Sequence, residues 1–497
     1  MFCVSENQTV FEKKKKKNRH QFNATETTFV FERRQDIPFS QQNLLSVFPF
    51  LMFDILSFDV DPETGFLPPQ LPLERLPQAY YAPWENLVNN LPALLLASRV
   101  RPLVDKLPAL STEQLSSPPE YRRAYMVLGF LAHAYVWGTN EPVSRLPENL
   151  ARPLVEVSDV LGLPPLATYA GLCLWNFKEI IPTTTNTKDV EFDNLTTINT
   201  FTGSIDEQWF FLVSVFFEAR GARAVRAGMD AIKHAQNKDS ARLIASLQQL
   251  AQVIDHLGSV MMRMEEMCDP HVFYFRLRPY LAGWKNMADV GLDKNGVIYG
   301  NEEKPRAYAG GSNAQSLLIQ FLDSVLSVHH YATGERPAPH QKVETSEKPE
   351  SAYLREMRNY MPGSHREFLA MVDRESCIRE YVMANRENAE LTLSYDACLA
   401  MLKLFRDKHI QIVTRYVVLQ AKQAPKMGSL LTLRSGLAKK KRAGTEEKGT
   451  GGTSLLPFLK QCRDETGDPA AGSWGKRLLS DGVMRLNYSK ANAINED

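Results

Sequence analysis

The sequence lacks an excess of charge of either sign. Its 497 residues contain 58 Lys and Arg against 57 Asp and Glu, so the formal net charge is only +1. Without such an excess, no overall field draws the protein to nucleic acid or to an acidic membrane. We therefore expect small molecules as partners, with no nucleic acid and no membrane, and we interpret the lysines at 13–17 as part of a solvated tail.

Closely spaced cysteines are also missing. The six cysteines are scattered along the chain, and no two of them form a C-x-x-C pair. Structural zinc sites, covalent c-type haem attachment and secreted disulfide frameworks require cysteines at short characteristic spacings. Their absence argues against these classes and favours a reducing compartment, so we expect a cytoplasmic protein.

No run of apolar residues is long enough to cross a membrane. The most apolar window, residues 44–58, contains Pro49 and Asp54 and falls short of the roughly 20 residues that a spanning helix needs. A polar stretch separates it from the lysine run, whereas the basic and apolar parts of a signal peptide adjoin. We predict that this window is buried in the protein and that the chain is not secreted.

Histidine motifs of common metal enzymes are absent as well. The ten histidines include no H-E-x-x-H and no cluster with aspartate at metal-ligand spacing, which gives little support to zinc or non-haem iron. His329 and His330 adjoin, and adjacent side chains on a helix point in different directions. We therefore expect no metal site from this pair.

What the sequence does contain is helical periodicity. Apolar residues recur at spacings of three and four, and few segments alternate with period two, so the pattern predicts an all-α fold. Six prolines between residues 61 and 83 predict an extended path before the first helix. The main predicted helices cover residues 84–96, 120–137, 207–233, 239–267 and 391–418.

The same pattern predicts the domain organisation. Residues 1–40 are polar and aperiodic, which is typical of a disordered leader. A Thr- and Asn-rich stretch then divides the helical remainder into two parts. The predicted order is a leader at 1–40, a small α-domain at 41–180, a linker loop at 181–205 and a large α-domain at 206–497, which contains a mobile loop at 420–453.

One helical segment carries a histidine on its apolar face. In DACLAMLKLFRDKHIQIVTRYVV, the apolar residues Leu402, Phe405, Ile412 and Tyr416 share a helix face with His409. A neutral imidazole that faces an apolar cavity is a suitable axial ligand for haem iron. A hydrogen-bonded core histidine is the more common case, and the residues alone leave both interpretations open.

The segment around His409, FRDKHIQIVTRY, is similar to the proximal-histidine segment of the indoleamine 2,3-dioxygenase family. Further segments match in the same order, so that the resemblance, closest to the fungal type, covers about residues 45 to 465. They are ETGFLP from Glu63, RRAYMVLGFLAHAYVW from Arg122, LGLPP from Leu161, FFLVS ending at Ser214, RPYLAGWK from Arg278, AGGSNAQS from Ala309, MRNYMPGSHREFL from Met357 and KGTGGTSLLPFLK from Lys448.

The resemblance implies an all-helical fold in which haem b lies between a small and a large domain, with His409 as the iron ligand. Arg406, one turn earlier, would pair with Asp323 and a haem propionate. Gly311 and Ser312 would belong to a loop over the haem edge. From the residues alone, Arg406 and Asp323 could equally form an ordinary ion pair between helices.

For the catalytic face, the resemblance places Phe210, Ser214 and Thr450 beside the oxygen and indole pocket. A serine within a helix more commonly bonds to the carbonyl four residues earlier, so we do not assign Ser214 as an acid or a base. Thr450 belongs to a glycine-rich loop that lacks the lysine and the strand context of a phosphate-binding loop.

For the substrate, the resemblance places Arg278 at the carboxylate of the amino acid. The planar guanidinium of an arginine can donate two parallel hydrogen bonds to a carboxylate. Arg276 is the rival arginine, and we expect it to face solvent. Tyr274 departs from the phenylalanine usual in the family, and its hydroxyl either changes substrate affinity or lies at the rim. The substrate-binding residues implied in this way are Arg278, Phe273, Tyr274, Tyr169, Ser312 and Thr450.

The activity implied is that of a haem dioxygenase that inserts both atoms of O₂ across the indole C2–C3 bond of L-tryptophan and releases N-formylkynurenine. This is the first step of the kynurenine pathway towards NAD, and an external reductant would keep the iron ferrous. The family also implies a monomer. Two alternatives stay open: a haem protein that binds or senses oxygen with little turnover, and a dioxygenase that prefers another indole or a pyrrole.

Overall fold

The computed structural model describes residues 54–336, 351–422, 436–438, 449–450, 455–472, 475–476 and 479. The predicted leader at 1–40 and most of the predicted loop at 420–453 lie outside the described residues. The described residues all belong to one compact unit. The predicted boundary near residue 180 stays a prediction.

Helices dominate the described residues, which form seventeen α-helices. They are α1 (Ala82–Asn89), α2 (Leu91–Leu96), α3 (Val100–Val104), α4 (Pro118–Trp137), α5 (Glu148–Leu161), α6 (Ile205–Gln236), α7 (Ser240–Met262), α8 (Met264–Met267), α9 (Pro270–Val272), α10 (Arg278–Leu281), α11 (Leu317–Val325), α12 (Ala352–Arg358), α13 (Gly363–Glu375), α14 (Ile378–Ala384), α15 (Ala389–Val413), α16 (Leu419–Lys422) and α17 (Leu455–Glu465).

Strands are few and short in the described part of the chain. The two-residue strands β1 (Arg145–Leu146) and β4 (Ile298–Tyr299) pair in parallel, and β2 (Lys178–Glu179) and β3 (Leu195–Thr196) pair antiparallel. The fold is therefore all-α, as predicted. Short 3₁₀ turns lie at Ile55–Phe58, Ala79–Tyr81, Thr187–Asp189, Phe192–Asn194, Ala288–Val290, Asn313–Gln315 and Gly436–Ala438.

The three longest helices, α6, α7 and α15, form the frame of the core, in which α7 packs along both α6 and α15. Each begins at a polar residue whose side chain accepts a hydrogen bond from a backbone N–H in the first turn: Ser204 before α6, Asp239 before α7 and Asn388 before α15. Such caps satisfy N–H groups that have no partner within the helix. These caps fix where the site-bearing helices start.

Most predicted helices are confirmed, but two are divided, and the predicted helix at 239–267 consists of α7 and α8. The predicted helix at 84–96 is divided between α1 and α2, because Pro92 lacks the N–H that a continuous helix would need.

The window at 44–58 was expected to be buried, but in its described part, 54–58, no residue is buried, and Leu56 is 61% exposed. That expectation was wrong for residues 54–58. An apolar composition indicates a tendency to be buried, but it does not show which other part of the chain packs against the segment. None of the described helices has the length and apolar character needed to span a membrane.

Candidate active site

A cavity of about 270 Å³ lies against the inner faces of α6, α11, α15 and α17. Most of its wall is aromatic or aliphatic, and its polar groups come from a small number of side chains. Such a cavity, apolar with a few placed polar groups, is the usual form of a small-molecule site.

Three five-residue π-helical segments border this cavity: Ala170–Leu174, Phe273–Leu277 and Thr414–Val418. Cys173, Phe273 and Tyr416 from these segments all belong to the cavity wall. A π-helical turn inserts one extra residue into a helix and changes the direction of the side chains around it, which is why such turns are frequent at functional sites. The three π-helical segments therefore indicate a functional site at the same place as the cavity.

His409 lies on α15 and faces the cavity. Its side chain is half-buried, and none of the described residues hydrogen-bonds to it, so it is not the satisfied core histidine of the alternative interpretation. Burial, with a smaller effect of the nearby charge of Arg406, lowers the pKa of His409 to about 4. The imidazole is therefore neutral at pH 7 and offers a lone pair to a ligand in the cavity.

Arg406, one turn before His409, is buried and bonds to Asp323 of α11. Its Nη2 donates to both carboxylate oxygens at 2.7 Å, and its Nη1 donates to the hydroxyl of Thr466. The pair predicted from the sequence is thus present, and both side chains reach the cavity wall. Burial alone would raise the pKa of Asp323, but the charges of Arg406 and His330 outweigh it and lower that pKa.

Phe210 and Ser214 lie one turn apart on α6, and both belong to the cavity wall. The ring of Phe210 lies against that of Phe273, with centroids 5.0 Å apart. The Ser214 hydroxyl donates to the carbonyl of Phe210 at 3.4 Å, which is the common bond of a serine within a helix. Together these side chains form an aromatic wall that carries one hydroxyl.

Arg278 is 2% exposed and reaches the cavity wall. Its guanidinium carbon lies 4.9 Å from the centroid of the Tyr274 ring, and its Nη1 donates to the carbonyl of Leu437 at 3.2 Å. Tyr274 is buried beneath this guanidinium and is not part of the cavity wall, unlike its expected position beside the indole. Arg276, expected to face solvent, is half-buried and also lies outside the wall.

The remaining predicted residues come together at the same cavity. Gly311 and Ser312 line it, as do Tyr169 and Thr450. The backbone carbonyl of Thr450 accepts a hydrogen bond from the N–H of Gly310 at 3.2 Å. The two predicted loops are thus in contact at the cavity. The other glycines of the Thr450 loop, at 451 and 452, lie outside the described residues.

The loop before Ser312 requires glycine for a steric reason. A Cβ on Gly310 would lie 2.1 Å from the carbonyl oxygen of Leu281. We predict that Gly310→Ala lowers the free energy of unfolding by about 2 kcal/mol, the order found for overpacking a close contact. Gly363→Ala, whose Cβ would meet no atom closer than 3.7 Å, is the matched control. Urea unfolding measures both, and equal stability of the two variants would contradict the prediction.

Two buried groups near this cavity were not predicted from the sequence. Glu218, one turn after Ser214, accepts hydrogen bonds from the hydroxyls of Tyr169 at 2.9 Å and Ser316 at 2.6 Å. Burial raises the pKa of Glu218 to about 7. His330 joins the Asp323–Arg406 pair at the cavity wall. The sequence places Glu218 on an apolar helix face, and this charged residue among apolar neighbours could have indicated a buried carboxyl group. No feature of the sequence around His330 indicated its position at the cavity.

Comparison with known proteins gives the family. A family model for indoleamine 2,3-dioxygenase matches residues 54–469. The chain belongs to the indoleamine 2,3-dioxygenase family. The family predicted from the sequence is therefore confirmed, and so are its class as a dioxygenase enzyme and its function in the dioxygenation of tryptophan. The family is haem-dependent.

Several members of the indoleamine 2,3-dioxygenase family resemble the chain over most of its length. It is 46% identical to the indoleamine 2,3-dioxygenase of Saccharomyces cerevisiae over 424 residues, which span 82% of this chain and 91% of the yeast protein. It is 34% identical to indoleamine 2,3-dioxygenase 1 of Mus musculus, over 84% of this chain and 95% of the mouse protein. A 6-hydroxytryptophan 2,3-dioxygenase of Fusarium equiseti is 35% identical over 84% of this chain and 97% of that protein.

Proposed function

We propose that the cavity holds haem b and that His409 would bind its iron. The observation that carries this proposal is the neutral imidazole of His409, which faces the cavity and has no hydrogen-bond partner among the described residues. A haem with no covalent attachment is held through a side chain that binds its iron, and a neutral imidazole is a common ligand of this kind. Arg406 would bind a propionate, and Gly311 and Ser312 would pack at the haem edge.

We further propose that L-tryptophan is the substrate and that Arg278 binds its carboxylate. Phe210 and Phe273 offer an aromatic wall for the indole ring. The buried guanidinium of Arg278 has the fork geometry that a carboxylate accepts. Three further residues of the cavity wall would complete the substrate pocket: Tyr169, Ser312 and Thr450.

In this proposal the chain binds and orients the substrate, and it provides no acid or base. Haem supplies the activation of O₂ when bound, and both oxygen atoms enter N-formylkynurenine. The hydroxyl of Ser214 is directed to the carbonyl of Phe210, so it serves as part of the wall together with Phe210 and Thr450. The aromatic wall excludes water, and fixed orientation of the reactants lowers the entropic part of the barrier.

We extend the proposal to the setting of the enzyme. It would act as a monomer in the cytoplasm, with an external reductant that keeps the iron ferrous, and its product would enter the kynurenine pathway towards NAD. The free thiols of all five cysteines in the described residues support a reducing compartment.

One experiment tests the proposed function. The protein purified with haem is reduced under oxygen with L-tryptophan, and the absorbance of N-formylkynurenine is followed. Steady turnover is the expected result, and oxygen binding without product would favour the alternative of an oxygen carrier. 6-Hydroxytryptophan is included as a competing substrate because of the relative from Fusarium equiseti, and a preference for it would change the assigned substrate.

Tyr274 gives a separate prediction. Because its ring lies under the guanidinium of Arg278 and outside the cavity wall, Tyr274→Phe should change KM for L-tryptophan by less than about threefold, since the face of the ring is retained. Tyr274→Ala removes the ring and should raise KM by about tenfold. Steady-state kinetics of the two variants measure this, and a large effect of the phenylalanine variant would contradict the assignment of the ring face as the part of Tyr274 that matters.

A further inference from the structure

His330 is a buried histidine that the proposed function does not use. It lies in the segment after α11, is 8% exposed and belongs to the cavity wall. With Asp323, Arg406 and Glu465 it forms a group of four charged or titratable side chains, which we call the proximal charge cluster. Residues from three helices and one loop meet in this cluster.

Both ring nitrogens of His330 contact a carboxylate. Its Nδ1 lies 2.7 Å from Oε2 of Glu465, and its Nε2 lies 3.2 Å from Oδ2 of Asp323. The other oxygen of Glu465 accepts from the backbone N–H of Tyr331 at 3.1 Å and from the side chain of Gln461 at 2.7 Å. Glu465 is thus an acceptor on both oxygens, so the Nδ1 of His330 is the donor.

Four groups face His330 from the helices around it: Asp323 of α11, Arg406 of α15, and Cys462 and Glu465 of α17. Burial alone would lower the pKa of His330. The charge of Asp323 and hydrogen bonds with Asp323, Cys462 and Glu465 outweigh burial and hold that pKa well above its ordinary value. An imidazolium therefore stands at the cavity wall at neutral pH.

The position of each charge relative to the cavity determines what the cluster can bind. Arg406, His330 and Asp323 all line the cavity, whereas Glu465 is fully buried and lies outside the cavity wall. Two cations thus share one carboxylate at the wall, while the second carboxylate lies behind it. The four charges of the cluster cancel, but its surface towards the cavity presents two cations and one carboxylate, and such a surface attracts an anionic group of a ligand.

We propose that His330 is a positioning residue: its positive charge, shared with Arg406 through Asp323, makes this corner of the cavity a binding site for a carboxylate of the cofactor. The identity of the ligand as a haem propionate rests on the proposed function. Without the charge on His330, Arg406 is the only cation beside the carboxylates of Asp323 and Glu465, and the corner loses its attraction for an anion.

A metal ion is the rival occupant of this cluster. One donor atom from each of His330, Cys462 and Glu465 lies within 4.8 Å of the others. Both nitrogens of His330 are already directed to carboxylates, however, and the guanidinium of Arg406 is 3.3 Å from Nε2. An imidazole that is protonated on both nitrogens has no lone pair for a metal ion, so we favour the charge cluster.

The test uses the haem-loaded full chain and its His330→Gln variant. The rate of haem transfer to excess apomyoglobin is measured from about pH 6 to pH 10, a range that reaches well above the ordinary pKa of histidine. The wild type should lose haem faster as the pH rises through the raised pKa of His330, because the charge is present below that pKa and absent above it. His330→Gln should lose haem about tenfold faster near pH 7, the order expected for one partly buried charge, and without that pH dependence.

Two further variants complete the test. His329→Gln changes the adjacent histidine, whose ring contacts Tyr331 at 4.7 Å, and should behave as the wild type. His330→Lys keeps a charge that titrates at higher pH and should restore slow haem loss near pH 7, which distinguishes charge from packing. As the pH is lowered, the midpoint potential of the haem iron should also rise less steeply in His330→Gln than in the wild type.

The possible outcomes separate the two proposals. If His330→Gln loses haem at the same rate and with the same pH dependence as the wild type, the inference is overturned and the proposed function is left intact. Stoichiometric zinc or another metal in the purified protein, lost in His330→Gln, would also overturn it. A wild type that binds no haem at all would instead overturn the proposed function.

Discussion

His409→Ala is expected to abolish stable haem binding and turnover while leaving the chain folded without haem. The wild-type imidazole has no hydrogen-bond partner among the described residues, and burial lowers its pKa to about 4. It therefore contributes little to the fold, and its loss should change the free energy of unfolding of the haem-free chain by less than about 1 kcal/mol. The Soret band and thermal unfolding of the haem-free chain measure the two effects.

The controls for this variant separate the iron ligand from general damage. His256→Ala removes an exposed histidine of α7 and should leave the Soret band and turnover unchanged. Free imidazole added to His409→Ala should restore part of the haem spectrum, because a soluble ligand can occupy the space left by the side chain. A normal Soret band in His409→Ala without added imidazole would refute the proposal that His409 binds the iron.

Arg278→Ala is expected to raise KM for L-tryptophan by about 100-fold, the equivalent of roughly 3 kcal/mol lost with a charge-assisted bidentate hydrogen bond. The guanidinium is buried at the cavity wall above the Tyr274 ring, so no other described arginine replaces it there. The Soret band should stay intact because Arg278 does not hold the cofactor. Steady-state kinetics and the haem spectrum are measured on the same preparation.

A change of substrate tests whether Arg278 binds the substrate carboxylate. This test does not depend on how stable the Arg278→Ala variant is. Tryptamine lacks the carboxylate, so its weak binding should be nearly the same in the wild type and in Arg278→Ala. Arg276→Ala, on the same segment but outside the cavity wall, should keep KM for L-tryptophan close to that of the wild type. If Arg278→Ala weakens tryptamine and L-tryptophan equally, the arginine supports the pocket and does not bind the carboxylate.

The sequence predicted the features that depend on local periodicity. The long apolar helix α6 follows from its spacing and begins after the cap at Ser204. The position of His409 towards the interior follows from the apolar residues one turn away on α15. Because a helix fixes the direction of its side chains, these predictions needed no tertiary information.

The features that the sequence did not predict depend on contacts between distant segments. His330 meets Glu465 across 135 positions of sequence, and nothing beside either residue marks the pair. Tyr274 was expected at the indole, but the π-helical turn at Phe273–Leu277 directs Phe273 to the cavity and places Tyr274 beneath Arg278. A one-residue change of helical register is set by packing, so apolar spacing does not predict it.

The most direct test of the central claim, that His409 binds the haem iron in this cavity, is the resonance Raman spectrum of the ferrous haem-loaded protein with ¹⁵N-labelled histidine. An iron–histidine stretching band should be present in the wild type, shift with the label and be absent in His409→Ala. The same labelled band in His409→Ala would mean that another side chain holds the iron.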